Sequence, residues 1–598
     1  MASAPQRPAD GPSGPLTRAA AALGRRGRAA IGPLLRTRAT RAALLAILCA
    51  ACFLPGLATL PVTDRDEARF VQASRQMIDS GDWVDIRFQD EPRWKKPAGI
   101  YWMQAATVSA LGGPTADRLW AFRLPSLAGA ILLVFGTAWA LGPLLGARGA
   151  TLAAAFAGAS AILAAEANIA KTDAMLNGLT VLALGAWIRR LTGAGLAAAR
   201  PAPPDIPIGE TPGRLPLALI LWAALGLAAL IKGPIAPMVL GLAAVALALA
   251  ERSRAPLRAL ALRSPGPLLF AILVIPWYVA IHIATDGGFW REALFEDLLG
   301  KVVSGQEKHG APPGTYLAVL WGTFWPWAPL TILAAPAVWA ARRERSVLLL
   351  LCWAAPAWLV FEATPTKLPH YVLPCVPPLA GLVAWAWMAE RGAPRPWQRS
   401  LAAGLFALVG AALGLACLAL PLATGQPVSA PAAALGLAAA AVSLLGFAAI
   451  RAQDRAGTLA SIFLAALLVY PAVLQFALPS YRFAFPSVAM AEASAPFAAC
   501  AGRPAASQSY REPSLVFLQG TGTRLMQAEE AAEALRAEPG ALVWLEDRRR
   551  ARTTDLLGEA APTLRTLAEV TAFNPNRGKV TTLRLTARAD DPAFADCR

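Results

Sequence analysis

Long apolar runs recur along most of this chain, and short polar segments separate them. A helix needs about 20 apolar residues to cross the hydrocarbon core of a bilayer, so runs of this length predict membrane-spanning helices. The thirteen predicted spans are 42–60, 121–144, 149–165, 172–189, 214–231, 234–250, 264–284, 316–340, 346–361, 370–389, 400–422, 430–450 and 457–479. An odd number of spans places the two ends of the chain on opposite sides of the membrane. The shorter run 98–112 fits either a further span or a surface helix.

The composition agrees with a polytopic α-helical membrane protein. Hydrophobic residues make up 56% of the sequence and charged residues only 16%, which differs from the balance of a soluble globular domain. The formal net charge of +17 is compatible with nucleic-acid binding, but the lysines and arginines lie mostly in short segments between apolar runs. That distribution is typical of the positive-inside bias of cytoplasmic loops. We therefore predict no nucleic-acid partner.

The two ends of the chain differ from its middle. Residues 1–41 are rich in Arg, Ala, Pro and Gly and predict a disordered, basic cytoplasmic tail. The run 42–60 starts too far along and is too long for a cleaved signal, so it predicts a retained first span of a transmembrane domain over 42–480. Residues 481–598 predict a small periplasmic α/β domain. Its predicted elements are strands at 514–518, 541–545 and 580–585 and a helix at 528–537.

The last two cysteines lie in this terminal domain. If the basic tail is cytoplasmic, thirteen spans place Cys500 and Cys597 on the opposite side of the membrane, in an oxidising compartment outside the cytoplasm. Because disulfides form and persist in that oxidising compartment, we predict a disulfide between them. Cys49 and Cys52 have the spacing of a redox pair, but they fall inside a predicted span, where redox chemistry is a poor interpretation.

Ionisable residues accumulate on the side of the membrane opposite the arginine clusters. Two large outward loops, 61–120 and 285–315, hold many of them. Ionisable groups near membrane depth are costly and usually serve a function, so the clustering predicts one polar cavity rather than scattered interfacial charges. The residues are Asp64, Asp66, Glu67, Lys95, Lys96, Glu166, Asp173, Lys232, Glu296, Asp297, Lys301, His309, Lys367, His370 and Tyr371.

The first outward loop begins with three acids in four positions. Asp64 followed three residues later by Glu67 resembles a capping box, and an apolar face follows at helical spacing, which predicts an amphipathic helix on the membrane surface. Capping accounts for Asp64 and Glu67, so Asp66 is the better candidate for chemistry. The residues that fall on this face are Phe70, Val71, Ser74, Met77 and Ile78.

Six short motifs, in this order, resemble the bacterial aminoarabinose transferase family. This family belongs to the protein mannosyltransferase superfamily of GT-C membrane glycosyltransferases. The motifs are Asp66-Glu67-Ala68-Arg69-Phe70, Lys96-Pro97-Ala98-Gly99-Ile100-Tyr101-Trp102, Thr172-Asp173-Ala174-Met175-Leu176, Lys232-Gly233-Pro234, Pro276-Trp277-Tyr278 and Thr366-Lys367-Leu368-Pro369-His370-Tyr371-Val372-Leu373-Pro374. The resemblance implies a GT-C fold and transfer of a sugar from a polyprenyl phosphate, usually undecaprenyl phosphate. The implied acceptor lies at the outer face of the inner membrane and is lipid A or another envelope glycan.

The resemblance also implies roles for individual residues. Asp66 matches the catalytic aspartate of the first outward loop, Lys96 the lysine that holds the carrier phosphate, and Tyr371 the tyrosine of the Lys-Leu-Pro motif. The predicted site contains Asp66 and Glu67 for catalysis, Lys96, Lys95, Lys301 and Tyr371 for the carrier phosphate, and Asp173, Lys367, His370 and His309 for substrate binding.

The sequence departs from the family at two places. The family tends to have a glutamate, associated with a bound metal, where this chain has Lys95. A histidine and an arginine of the second outward loop are replaced by Asp297 and Lys301. Losing a carboxylate and an imidazole weakens a transition-metal site. We therefore predict no tightly bound zinc and no cofactor, leave a weaker divalent metal open, and do not assign aminoarabinose as the sugar.

A polyprenyl phosphate is a fair leaving group near neutral pH, so the transition state mainly needs cations where negative charge develops. A hydroxyl acceptor needs a base, for which Asp66 is the candidate; a phosphate acceptor does not, and Asp66 then orients a substrate. Direct displacement inverts the anomeric centre. Two alternatives stay open: a protein O-mannosyltransferase-like enzyme, which differs in its acceptor, and a transporter of polyprenyl-linked lipids, which predicts essential charges midway through the spans.

Overall fold

The computed structural model describes most of the chain and shows a helical membrane protein with a small sheet domain at its carboxyl end. The described residues are 14–115, 118–196, 214–293, 311–389, 394–558, 563–575, 577–594 and 597. The helices before residue 300 are α1 Pro15–Ile31, α2 Arg38–Phe53, α3 Asp66–Ser80, α4 Gly99–Ala110, α5 Leu119–Gly158, α6 Ala161–Ala167, α7 Asp173–Thr192, α8 Arg214–Lys232, α9 Ile235–Glu251, α10 Ala255–Arg258, α11 Gly266–Ala284 and α12 Gly288–Trp290. A two-stranded antiparallel hairpin of β1 Arg87–Phe88 and β2 Glu91–Pro92 lies between α3 and α4.

The second half of the helical part continues in the same way. Its helices are α13 Thr315–Thr323, α14 Leu330–Ala340, α15 Arg345–Ala363, α16 Val376–Ala389, α17 Pro396–Ala423, α18 Ala430–Arg451, α19 Arg455–Tyr470 and α20 Leu478–Ser480. A 3₁₀ segment, Pro369–Cys375, leads into α16, and a π-helical segment, Pro471–Ala477, joins α19 to α20. One large apolar core runs through these helices from Leu45 to Tyr470.

Within the described residues, eight helical segments are long and apolar enough to cross a membrane, and Ile235–Glu251 and Leu330–Ala340 are shorter apolar helices. The protein is therefore a multi-pass membrane protein, while the predicted number of thirteen spans stays a prediction. The predicted spans 121–144 and 149–165 lie largely in α5, which breaks at Gly146, where φ is 68°. The predicted span 316–340 is interrupted between α13 and α14 around Pro326 and Pro329, because proline cannot donate the helical hydrogen bond.

The prediction of a disordered tail over 1–41 is wrong for its described part. Helix α1 covers Pro15–Ile31 and packs against α18 and α19. Gly24 lies directly against the backbone of Ala456 and Gly457, an approach that a larger side chain would prevent. Alanine has the highest helix propensity, and this close packing stabilises a helix that composition alone did not predict.

The predicted amphipathic helix exists as α3, but its capping and its surroundings differ from the prediction. Asp64 lies outside the helix and makes no capping bond, and Arg65, with φ of 64°, precedes the first helical residue, Asp66. The apolar face packs against α4 and a helix of the terminal domain instead of lying on a membrane surface. Helix α4 has 12 residues, too few to cross a bilayer.

The terminal domain is built on a five-stranded mixed sheet. Its elements are α21 Pro486–Ala501, β3 Ala506–Gln508, α22 Pro513–Gln519, β4 Leu525–Met526, α23 Ala528–Ala537, β5 Val543–Glu546, α24 Asp547–Leu557, β6 Leu564–Asn574 and β7 Lys579–Arg588. The strand order is β4-β3-β5-β7-β6, with β3 parallel to β4 and β5 and the other pairs antiparallel. The strand prediction for 514–518 is wrong. Pro513 starts a helix there, as proline often does in a first turn.

The predicted disulfide joins Cys500 to Cys597 and ties α21 to the end of the chain. Replacing Cys597 with serine is expected to destabilise the terminal domain by about 2 to 5 kcal/mol, because the unfolded chain loses its cross-link. Thermal unfolding of the full-length protein in detergent, with reduced wild type as the matched control, measures this effect. Equal unfolding temperatures for the variant and the oxidised wild type would contradict it.

Candidate active site

A cavity of about 740 Å³ opens between the first outward loop, the starts of α7 and α9, helix α15 and the Lys-Leu-Pro segment. It brings together predicted residues that are up to 307 positions apart in the sequence, namely Asp64 and Tyr371. The predicted residues that line it are Asp64, Asp66, Glu67, Lys95, Lys96, Asp173, Lys232, His370 and Tyr371. Its apolar lining includes Ile235, Met238, Tyr278, Phe289, Trp290, Val360 and Phe361.

Asp66 is exposed to this cavity at the first residue of α3. Within the part of the chain that the structure describes, its carboxylate makes no hydrogen bond or ion pair. Burial among the surrounding protein atoms raises the pKa of Asp66, but the nearby positive charges, of which Lys171 has the largest effect, hold the pKa below its usual range. The carboxylate is therefore ionised at neutral pH and free to accept a proton or a hydrogen bond from a ligand.

Glu67 belongs to the cavity wall but is fully buried. Its carboxylate accepts hydrogen bonds from Nε and Nη2 of Arg123 at 2.8 and 3.1 Å, from the Thr63 amide at 2.8 Å and from the Ala170 amide at 2.9 Å. Arg123 also donates to backbone carbonyls of the loop before α3, at Leu57, Leu60 and Pro61. These contacts favour a structural role for Glu67 over the predicted catalytic one.

Asp173 begins α7, where the helix dipole favours a negative charge. Its Oδ1 accepts a hydrogen bond of 2.6 Å from Lys232, and the Lys232 ammonium lies 5.3 Å from the centre of the Tyr371 ring, within the range of a cation–π interaction. Both carboxylate and ammonium are largely buried. The Thr-Asp, Lys-Gly-Pro and Lys-Leu-Pro-His-Tyr motifs are therefore joined by one ion pair and one ring contact.

A second buried group lies beside this pair. The ammonium of Lys171 is 2.8 Å from Oε1 of Glu166 and 3.2 Å from Nδ1 of His370. His370 Nε2 is 3.7 Å from Oδ2 of Asp173, beyond hydrogen-bonding distance. Glu166, Lys171 and His370 are all at least nine-tenths buried, so this arrangement is fixed by protein contacts rather than by solvent.

The three lysines of the predicted site that the structure describes have different surroundings. Lys95 is exposed and Lys96 is half-buried, and both line the cavity. Lys367 is buried and donates to the carbonyl oxygens of Ala311 and Thr364 at 3.0 and 2.7 Å. These contacts favour a role in holding the second outward loop against the Lys-Leu-Pro motif over the predicted one in substrate binding.

Two predicted site residues, Lys301 and His309, lie outside the described residues, as do Glu296 and Asp297. Their predicted roles therefore stay predictions. In the described ranges, no three side chains from His, Cys, Asp and Glu are arranged to hold a metal ion.

Glu166 and Lys232 belong to the predicted outward face but not to the predicted site. Lys171 and Arg123 are not among the predicted site residues. Arg123 carries a recognisable signal, because an arginine just inside the predicted span 121–144 demands a buried partner. Lys171 offered a weaker signal through its place two residues before Asp173.

The terminal domain contacts the same loop through Asp64. The Asp64 carboxylate accepts hydrogen bonds from the hydroxyls of Ser514 and Tyr510, and Gln72 and Gln89 reach Thr521 in the turn after α22. Burial raises the pKa of Asp64 to about 6. The start of the first outward loop is thereby attached to the sheet domain.

The raised pKa of Asp64 predicts a pH-dependent stability. Because the folded protein favours the protonated carboxyl, stability from this group is complete below the ordinary Asp value of 3.8 and is lost as the pH rises through about 6; the change is on the order of 3 kcal/mol. Between pH 7 and 4 the unfolding temperature of the wild type should therefore rise relative to that of Asp64→Asn. Parallel curves for the two proteins over this range would contradict the prediction.

The chain is similar in sequence to aminoarabinose transferases. Over 365 residues it is 29% identical to undecaprenyl phosphate-alpha-4-amino-4-deoxy-L-arabinose arabinosyl transferase 2 of Pseudomonas fluorescens strain Pf0-1, covering 59% of this chain and 60% of that one. It is 28% identical over 394 residues to transferase 1 of P. fluorescens strain ATCC BAA-477 / NRRL B-23932 / Pf-5, covering 64% and 66%. The matches thus span less than two thirds of these relatives, and no protein-family model matches the chain.

The structure is also similar to solved structures over nearly its whole length. It aligns with the crystal structure of ArnT from Cupriavidus metallidurans bound to undecaprenyl phosphate at a TM-score of 0.69 and 20% identity, covering 93% of this chain and 99% of that one. The apo structure of the same protein aligns at 0.66, with 21% identity and coverage of 91% and 97%. At this identity the likeness establishes the fold. The chain therefore has the fold of ArnT, and its sequence is similar to those of aminoarabinose transferases.

Proposed function

We propose that this chain is an inverting glycosyltransferase that moves a sugar from undecaprenyl phosphate to lipid A or another envelope glycan on the periplasmic side of the bacterial inner membrane. The observation that carries the proposal is a single cavity with two kinds of lining. It joins a carboxylate that has no partner among the described residues to lysines and to an apolar wall. The names of the similar proteins, which specify an undecaprenyl phosphate-linked sugar, support the same donor class.

The apolar wall fits the isoprenoid part of such a donor. Met238, Phe289 and Phe361 belong to this wall, and an isoprenoid chain gains free energy by leaving water for apolar contacts. Lys95 and Lys96 lie in the same cavity and supply positive charge for the phosphate, for which lysine acts as a point charge. We assign Lys301 to the same phosphate from the sequence resemblance.

In the proposed reaction an acceptor oxygen attacks the anomeric carbon from the face opposite the carrier. The new carbon–oxygen bond forms as the bond from that carbon to the phosphate oxygen breaks, and both electrons of the broken bond leave with the carrier phosphate. The lysines stabilise the negative charge on the departing phosphate. Displacement from the opposite face inverts the anomeric configuration.

We assign Asp66 to the acceptor. With a hydroxyl acceptor, the ionised carboxylate takes the proton as the carbon–oxygen bond forms. The lowered pKa of Asp66 keeps this carboxylate ionised at neutral pH. With a phosphate acceptor no proton has to be removed, and the same carboxylate orients the substrates. Because Asp66 shares the cavity with Asp173 and His370, we assign these two to contacts with the sugar.

We further propose that 61–120 and the second outward loop face the periplasm, together with the domain over 481–598. Helix α22 of that domain packs on α3, directly beside the start of the first outward loop. We assign the terminal domain to holding this loop and covering the acceptor side. Cysteine labelling of intact cells at Asp90→Cys, an exposed position in the β1–β2 turn, tests the orientation, and protection of that cysteine from impermeant reagents would contradict it.

Mass spectrometry of envelope lipids from strains with and without the gene tests the function. The deletion strain should lose one sugar from lipid A or another glycan and accumulate the corresponding undecaprenyl phosphate sugar. Loss of sugar from proteins alone would favour the protein O-mannosyltransferase alternative. Purified protein that moves the donor lipid between leaflets of a vesicle but transfers no sugar to any added acceptor would favour the transporter.

A further inference from the structure

The cluster of Glu166, Lys171 and His370 has a geometry that fixes the position of a proton. Lys171 Nζ lies 2.8 Å from Glu166 Oε1 and 3.2 Å from His370 Nδ1. The three side chains come from α6, from the loop before α7 and from the 3₁₀ segment before α16. Only 3% to 8% of each residue is exposed, so water does not compete for these contacts.

The hydrogen bond between Lys171 and His370 has only one direction when the amine is charged. An ammonium has three donors and no acceptor, so His370 Nδ1 must accept and therefore carries no hydrogen. The neighbouring carboxylate of Glu166 favours the charged amine. Protonating Nδ1 would place two positively charged donors 3.2 Å apart.

We propose that Lys171 is a positioning residue that holds His370 as a neutral imidazole with its proton on Nε2, so that His370 donates a hydrogen bond into the cavity. The Nε2 atom makes no hydrogen bond to any described residue. Asp173 Oδ2, its nearest carboxylate oxygen, is 3.7 Å away. Oδ1 of Asp173 is occupied by Lys232 at 2.6 Å.

His370 lines the cavity. The hydrogen-bond acceptor for its Nε2–H is therefore an oxygen of the bound lipid-linked sugar. That identification of the ligand rests on the proposed function, whereas the position of the proton does not. The charged groups that face His370 are Glu166 from α6, Lys171 from the loop before α7, Asp173 from α7, Lys232 from α8 and Asp66 from α3. Nδ1 already accepts a hydrogen bond from Lys171, and Nε2 already carries the proton. His370 therefore cannot act as a general base, and Asp66 remains the candidate for that role.

Solid-state ¹⁵N NMR of the histidine-labelled full-length protein in lipid tests the assignment. The chain contains only 3 histidines, and comparison with His370→Gln identifies the His370 signals. The wild type should show a protonated Nε2 and an unprotonated Nδ1 from pH 8 down to pH 5. A proton on Nδ1, or on both nitrogens within this range, would overturn the proposal.

Variants of Lys171 separate positioning from general folding. Lys171→Met removes the donor to Nδ1, so His370 should then show both neutral tautomers. In Lys171→Arg the guanidinium still donates and cannot accept a hydrogen bond, so His370 should keep its proton on Nε2. This variant tests the role of the charged donor if Lys171→Met does not fold. An unchanged His370 signal in Lys171→Met would contradict the role of Lys171.

The ligand is tested with undecaprenyl phosphate alone and with the lipid-linked sugar extracted from the deletion strain. A shift of the Nε2–H signal with undecaprenyl phosphate alone places a phosphate oxygen at this hydrogen bond, whereas a shift only with the extracted lipid places a sugar oxygen there. No shift with either would overturn the donation into the cavity. Because the readout is a proton position, a failed transfer assay and a failed assignment of His370 are distinguishable.

Discussion

Replacing Asp66 with asparagine is expected to reduce sugar transfer by about 10² to 10⁴-fold, the usual contribution of a general base, while leaving binding of undecaprenyl phosphate within about twofold of wild type. Asparagine keeps the shape of the side chain but cannot accept a proton. Because Asp66 makes no ion pair with any described residue, the substitution should not disturb the fold. Transfer is measured with lipid-linked donor in detergent, and binding by the shift in unfolding temperature on adding undecaprenyl phosphate.

Asp79→Asn is the matched control. Asp79 lies on the same helix α3, and its side chain is 54% exposed in an i,i+4 pair with Arg75, so it should transfer sugar at the wild-type rate. Unchanged transfer by Asp66→Asn would remove Asp66 as the base. Loss of transfer together with loss of carrier binding would instead assign Asp66 to donor binding.

Replacing Arg123 with methionine is expected to destabilise the protein by about 3 to 5 kcal/mol, because it leaves the buried carboxylate of Glu67 without its partner. Three loop carbonyl oxygens, at Leu57, Leu60 and Pro61, lose their donor as well. The loop that these carbonyls belong to leads into Asp66, so transfer activity should fall with stability. Thermal unfolding in detergent, followed by tryptophan fluorescence, measures the loss.

A double-mutant cycle separates the ion pair from the rest of the site. The double variant Glu67→Gln/Arg123→Met should lose less free energy of unfolding than the two single variants lose together. In the double variant no unpaired charge is buried. Arg552→Met is the control: Arg552 pairs with Glu529 at 2.6 Å on the surface of the terminal domain, where both side chains are more than half exposed, and such pairs contribute about 0 to 1 kcal/mol. Additive effects of Glu67→Gln and Arg123→Met would contradict a structural role for this pair.

Much of the fold could be predicted because the bilayer imposes a simple rule on sequence. Apolar runs near 20 residues identify helices such as α8, α17 and α18 almost to their ends, since helical hydrogen bonding is the only way to satisfy an isolated segment in hydrocarbon. The rule fails where packing decides. Helix α1 is too polar to be recognised as part of the helical bundle, and it is stabilised by its contact with α19 at Gly457.

The sequence by itself determined the membrane class, the segregation of acids and lysines to one set of loops, and the candidacy of Asp66. Only the tertiary structure decided which ionised groups meet. Glu67 looked like a helix cap beside Asp64, yet its partner Arg123 is 56 residues away. Lys171 and His370 are 199 residues apart. A buried charge requires a partner, but local sequence cannot specify which distant one the fold supplies, because that choice depends on the packing of whole helices.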